Sequence, residues 1–173
     1  MLVTQQIFLI ASLLCLLVLL ALCSVAAEGV RGMRALLLAA LLGIVGNVLY
    51  AFGRELLPLL AYEAANVSYA GAGAALVAGY RILAGRSPRT LLLSLLLALV
   101  GVLIALFHHV ADSFAGRSAV TSLFQAAVCV EIGRTVLAGR RDWQQPHHVY
   151  WFVLAMCATV ALGHMGRMAW LWG

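Results

Sequence analysis

The chain has 173 residues, of which 65% are hydrophobic and only 10% charged, and its formal net charge is +5. The apolar residues come in long runs joined by short connectors, which leaves no room for a soluble domain. Nor does the positive charge point to nucleic acid, because the arginines fall at run ends and in connectors, where they anchor and orient membrane helices.

Six runs approach the ~20 residues that cross a bilayer as helix: Gln5 to Ala27, Ala35 to Phe52, Ala64 to Leu83, Thr90 to Val110, Ala119 to Ala138 and Val149 to Trp172. The expected fold class is all-α, a polytopic membrane bundle of six transmembrane helices in which residues 1–173 form a single transmembrane domain. The first run has no Lys or Arg before Ile7 and outruns a signal-peptide core, so it reads as a retained helix. The second carries Gly43, Asn47 and Tyr50 on one stripe, leading to Arg54 in a connector. That connector, Gly53 to Tyr62, has leucines around Pro58 and reads as a short interfacial segment that could cover a cavity. The third run is so rich in Ala and Gly between Ala70 and Ala75 that neighbours can approach its backbone closely, which predicts a central position; Glu63, Asn66, Ala70 and Gly73 share its stripe.

At about 100° per residue the fourth run aligns Ser94, Ala98, Gly101, Ala105, His108 and Asp112, with leucines over most of the rest. The stripe is expected to face protein, with Asp112 accepting a hydrogen bond from His108 one turn earlier. Ser118, Ser122, Gln125 and Cys129 share a face of the fifth run, and Glu131 and Arg134, three apart, are expected to pair with each other. Cys157, Ala161, His164 and Met168 form the stripe of the sixth.

Eight arginines (Arg31, Arg34, Arg81, Arg86, Arg89, Arg134, Arg140, Arg141) lie at the odd-numbered connectors and three (Arg54, Arg117, Arg167) on the opposite side. The excess belongs in the cytoplasm, so the amino terminus is expected in the periplasm of a bacterial inner membrane, with Gly173 outside as well. A cytoplasmic output would then need a seventh helix after Gly173. This topology gathers Asn47, Tyr50, Arg54, Glu63, Asn66, Tyr69, His108, His109, Asp112, Arg117, His164 and Arg167 in the outer third, whereas His147 and His148, beside Pro146, start the sixth helix at the inner face.

Other chemistries are closed or weak. Every basic residue is Arg, which excludes a Schiff base to retinal. The four cysteines sit inside apolar runs without a CxxC spacing and read as packing residues. No HExxH or GxSxG occurs, so membrane hydrolysis is not expected. A zinc or copper site on His108, His109 and Asp112 is disfavoured because adjacent histidines project ~100° apart on a helix.

Gly43 and Gly46, then Arg54, Pro58, Asn66, Gly73, Gly79 and Arg81 before Gly85-Arg86-Ser87-Pro88, continue into Asp112-Ser113-Phe114, Arg117, Ser122-Leu123 and Arg167. This pattern, from about Leu36 to Arg167, resembles the multi-helix membrane input domain that precedes GGDEF catalytic domains in many proteobacterial diguanylate cyclases. The resemblance implies a sensory domain of a cyclic di-GMP signalling protein, with the enzyme in a separate GGDEF output domain. This chain carries no GGDEF signature and is not expected to be the enzyme.

The candidate ligand-binding residues are Asn47, Tyr50, Arg54, Glu63, Asn66, His108, Asp112, Arg117, His164 and Arg167, gathered on inward stripes at one depth as an outward-opening pocket would require. The bland alternative is mutual satisfaction: Arg54 with Glu63 or Glu55, Asp112 with His108 or Arg117, and asparagines with backbone. Haem b is a candidate cofactor, with His108 and His164 as axial ligands on two helices and glycines nearby to admit a porphyrin. That would make the chain a redox or gas sensor or an electron carrier. A small-molecule transporter is the remaining class, although neither broken helices nor inverted halves are visible. The expected partners are the lipid bilayer, an unidentified small-molecule signal and the GGDEF output domain, with a second copy of the chain in a homodimer as a further candidate and no nucleic acid.

Overall fold

The computed structural model of the chain describes residues 2–139 and 147–172. Its regular elements there are six α-helices and one π-helical turn: α1 (Leu2–Ala26), α2 (Met33–Ala51), the π turn (Leu59–Ala64), α3 (Ala65–Leu83), α4 (Thr90–His109), α5 (Phe114–Gly139) and α6 (His147–Trp172). Arg140, Arg141 and Pro146, which enter the sequence argument, lie outside the described residues. Each expected run is a helix. The fifth begins earlier than the hydropathy alone suggests, because the Ser113 hydroxyl accepts the Gly116 N–H at 3.0 Å and caps the helix start.

Five helices, all but α3, are long and apolar enough to cross a membrane. The protein is thus a membrane-embedded, multi-pass helical bundle. α3 is less apolar because Asn66, Ser68, Tyr69, four glycines or tyrosines of its middle and Arg81 dilute its alanines. Those same residues explain where it sits. Ala65, Ala70, Gly71, Gly73 and Val77 are buried, and α3 touches α2, α4 and α5 at once.

Successive helices run antiparallel, so the bundle has two ends. The connectors after α1 and α3 and the start of α6 lie at one end; the π turn, the α4–α5 turn and the end of α6 lie at the other. Among the described residues the close backbone contacts of α1 are with α2 and those of α6 with α5, so the two outer hairpin arms are joined through α3 and its neighbours. Lipid is as apolar as leucine, hence helix association here rests on close packing rather than on burial from water. Small residues make that packing tight. A Cβ on Gly79 would lie 2.6 Å from Leu36 Cδ2, and one on Gly46 would lie 2.9 Å from the Tyr69 ring. Gly32, at φ 80°, opens α2 with its Cα facing the Gly79 carbonyl, where an added Cβ would come within 2.6 Å of that oxygen.

The face of α4 differs from the expected one. Val100 and Ile104 are buried and pack on Ala70 of α3, with Leu97 beside them, whereas Ser94 and Ala98 are exposed. The small-residue surface already belongs to α3, so its partner must supply large side chains to fill the space. In lipid, leucine content does not tell the outer face from the inner one.

The ion pair of Glu131 also differs. Glu131 does not pair with Arg134, which is exposed; it accepts from Arg81 Nη1 across the α3–α5 contact at 2.6 Å. Arg81 Nε donates to the Ser87 carbonyl at 2.7 Å, so the guanidinium, only 8% exposed, ties the last turn of α3 both to α5 and to its own connector. Pairing across helices is preferred because an uncompensated charge at this depth costs ~2.5–3.5 kcal/mol.

Candidate functional site

The polar residues of the opposite end form two groups. The first lines a cleft of about 870 Å³ between the α1–α2 arm and the α5–α6 arm, floored by α3. Its lower walls are apolar, with Leu14, Val18, Leu36 and Leu76. Its upper part gathers Tyr50, Tyr62, Asn66, Tyr69, Arg117, Ser118, Thr121, Gln125, His164 and Arg167. No carboxylate lines it among the described residues.

These side chains are held by specific bonds. Asn66 Nδ2 donates to the Tyr62 carbonyl at 2.7 Å, and its Oδ1 accepts from Thr121 Oγ1 at 3.1 Å, which joins α3 to α5. Gln125 Nε2 donates to the Tyr69 carbonyl at 3.0 Å. The Tyr69 hydroxyl donates to Asn47 Oδ1, and Asn47 Nδ2 faces Cys15 Sγ at 3.7 Å, so Asn47 sits behind the cleft wall as its support. Tyr50 stacks between Phe8, at 5.1 Å between ring centroids, and Tyr69, at 5.6 Å. The Arg117 guanidinium lies 5.7 Å from the centre of the Tyr62 ring and donates to the Phe107 carbonyl at 3.3 Å, while Arg167 Nη2 donates to Ser118 Oγ at 3.2 Å. Two cations therefore face one cavity, and the bonds that tether them leave donor capacity over, although Asp112 stands 3.9 Å from Arg117.

The second group stands beside the cleft, where the π turn meets the end of α4. Glu63 Oε1 accepts from His108 Nδ1 and, at 2.9 Å, from His109 Nε2. The Glu63 side chain is 10% exposed, and its Oε2 is buried without a hydrogen-bond partner. The two imidazoles stack with centroids 4.6 Å apart, and Tyr62 meets His108 edge-on at 5.2 Å. Burial alone would raise the Glu63 carboxyl, but the hydrogen bond from His108, the bond from backbone N–H and the nearby imidazole charges outweigh it and hold the group below its ordinary value. Glu63 lies in the π turn, which packs against α4 and brings its carboxyl to the two histidines.

Of the sequence candidates, the structure brings Tyr50, Asn66, Arg117, His164 and Arg167 to the cleft, with Asn47 behind them. Glu63 and His108 belong to the second group. Asp112 is not the partner of His108. It occupies a left-handed turn position at φ 40°, its side chain is 93% exposed, and only Arg117 approaches it, at 3.9 Å. Arg54 is exposed in the connector after α2 and reaches neither Glu63 nor the cleft. The histidines also separate: His164 lines the cleft on α6, His108 is engaged at Glu63, and α4 and α6 make no contact. The two imidazoles do not flank one space, so a porphyrin held axially by both does not fit. His109, set aside because it projects away from His108, converges on the same carboxylate because it reaches with Nε2 and His108 with Nδ1.

Tyr62 and Thr121 went unrecognised as site residues. The spacing of Arg117, Thr121 and Gln125, four apart on α5, was the available signal for the second, whereas Tyr62 gave none, since its direction depends on the π turn. No family model matches this chain, and neither does any curated protein or solved structure.

Proposed function

We propose that the chain is the sensory input part of a bacterial inner-membrane signalling protein whose output is a cyclic di-GMP cyclase, and that the cleft receives an amphiphilic anion as its signal. The observation that carries this is the cleft's polarity: apolar walls below, two guanidiniums and a belt of hydroxyl and amide groups above, and no carboxylate in the lining, the exposed Asp112 reaching Arg117 only at 3.9 Å from outside it. An apolar tail would occupy the lower walls and an anionic head would take up the free donors of Arg117 and Arg167. In this proposal all six helices cross the membrane, α3 included, and the eight-to-three arginine imbalance sets the cleft's polar mouth toward the periplasm.

The coupling follows from the contacts. α3 packs on both α2 and α5 and so bridges the two arms, and a ligand wedged between them shifts the angle of one arm against the other. A ligand that binds one angle better moves the population toward it, and the output domain reads that shift. The resemblance to GGDEF input domains supports this choice of output.

The test is cyclic di-GMP in cells that express the complete native gene, compared with Arg117→Ala and Arg167→Ala at equal membrane abundance. A changed level in either variant is the expected result. Unchanged levels in both would remove the cleft as the signal site, and a level independent of the protein altogether would remove the cyclase output.

A further inference from the structure

We propose that Glu63, His108 and His109 form a site for a divalent transition-metal ion of the zinc class, open at one position toward the aqueous end of the bundle. One ligand atom from each residue lies within 4.8 Å of the others, with two nitrogens and one oxygen as donors. This donor set suits Zn²⁺, whose three-ligand sites keep a fourth position for water or another ligand. The site is distinct from the cleft and does not depend on the sensory role of the chain.

Three features favour a metal over a plain hydrogen-bonded triad. First, both imidazoles aim at the same oxygen, Oε1, when two oxygens are available. This brings two imidazole nitrogens and a carboxylate oxygen together, close enough for one ion to meet all three. Second, Oε2 of Glu63 is buried and unpartnered, which leaves a carboxylate side chain nine-tenths buried with acceptor capacity unused. Third, the donors sit on two elements that need a tie. The π turn and the last turn of α4 come together here, and the ion would fasten them as Arg81 and Glu131 fasten the other end.

The adjustment required is uneven, a few tenths of an ångström at His109 and a larger opening at the closer His108 nitrogen. At bonds of about 2.0–2.1 Å in a tetrahedron the ligand atoms stand about 3.3 Å apart. The His109 Nε2 to Glu63 Oε1 separation, now 2.9 Å, has to open by only a few tenths of an ångström. His109 is the gate for entry, since its imidazole is 60% exposed while His108 and Glu63 are covered. Tyr62, next to Glu63 in the chain and edge-on to His108, lines the cleft, so loading the ion would stiffen one wall of it.

The experiment uses the full chain, purified in detergent and stripped with chelator, then titrated with Zn²⁺ by calorimetry and with Co²⁺ by visible absorption. One equivalent of Zn²⁺ and d–d bands of four-coordinate Co²⁺ are expected. His109→Ala should weaken Zn²⁺ by more than the about 10–100-fold that loss of an outer-shell partner costs, and Glu63→Gln by at least as much. Because His109 is exposed, its variant folds even if Glu63→Gln does not. Asp112→Asn and His164→Ala should bind as the parent does. Failure of the folded parent to bind one equivalent would overturn the site. So would binding that survives His109→Ala and disappears instead in His147→Ala/His148→Ala at the other end of the bundle.

Discussion

The two ends of α3 solve the same problem in opposite ways. At its last turn, Arg81 enters the bundle with its charge paired and its reach fixed: Nη1 to Glu131, Nε to the Ser87 carbonyl, and 8% of the side chain left exposed. Just before its first turn, Glu63 enters equally covered but with one oxygen crowded by two imidazoles and the other bound to nothing. The first arrangement is closed and structural. The second has capacity left over, and beside it the cleft leaves two guanidiniums with donors to spare. Stability is placed at the arginine-rich end and chemistry at the histidine end, which is the division expected if one end holds the bundle while the other responds.

That contrast can be broken most severely at the closed end. Arg81→Ala strands Glu131 without its cation and should cost about 3–5 kcal/mol, seen as a large fall in thermal stability in detergent. The double variant Arg81→Met/Glu131→Leu should recover most of that loss, since a packed apolar pair is often neutral relative to an ion pair; no recovery would mean that Arg81 matters through Ser87 instead. Next in size is Gly32→Ala, where an added Cβ would meet the Gly79 carbonyl at 2.6 Å from a residue already at φ 80°. A loss of about 1–3 kcal/mol by the same melt is expected. Near the cleft, Thr121→Val removes the α3–α5 hydrogen bond to Asn66 and should cost only ~0.6 kcal/mol, typical of interhelical bonds in membranes. A loss as large as that of Arg81→Ala would abolish the distinction between the two ends. Smallest are His109→Ala and Asp112→Asn in metal-free protein, both at exposed side chains and expected within about 0.5 kcal/mol of the parent.

The one-dimensional signals that worked were those carried by the chain itself. Helix positions follow from run length, because the bilayer fixes how much apolar helix is needed. The central place of α3 follows from Ala70 to Ala75, since close backbone approach needs small side chains. The stripes on α2, α3 and α6 point inward as their spacing implies, with Asn47 and Glu63 buried and His164 at the cleft. The stripe on α4 was misleading for a definable reason: Ser94 and Ala98 resemble packing residues, yet a helix that meets an Ala/Gly surface contributes bulk, here Val100 and Ile104. Local spacing likewise favoured Asp112 for His108 and Arg134 for Glu131, and in both cases a partner from another helix displaced the neighbour on the same one.

What the sequence by itself determined is therefore the all-helical, membrane-embedded class of the chain and the approximate places of its helices. Each of these is a property of consecutive residues and a bilayer. Partner choice was decided only in three dimensions. Whether Glu63 meets Arg54 or two histidines, whether Glu131 meets Arg134 or Arg81, and whether His108 and His164 share one space all depend on helix rotation and on the π turn that carries Glu63 and Tyr62. Rotation about a helix axis is set by packing against neighbours, and in a medium as apolar as the core no single helix carries that information alone.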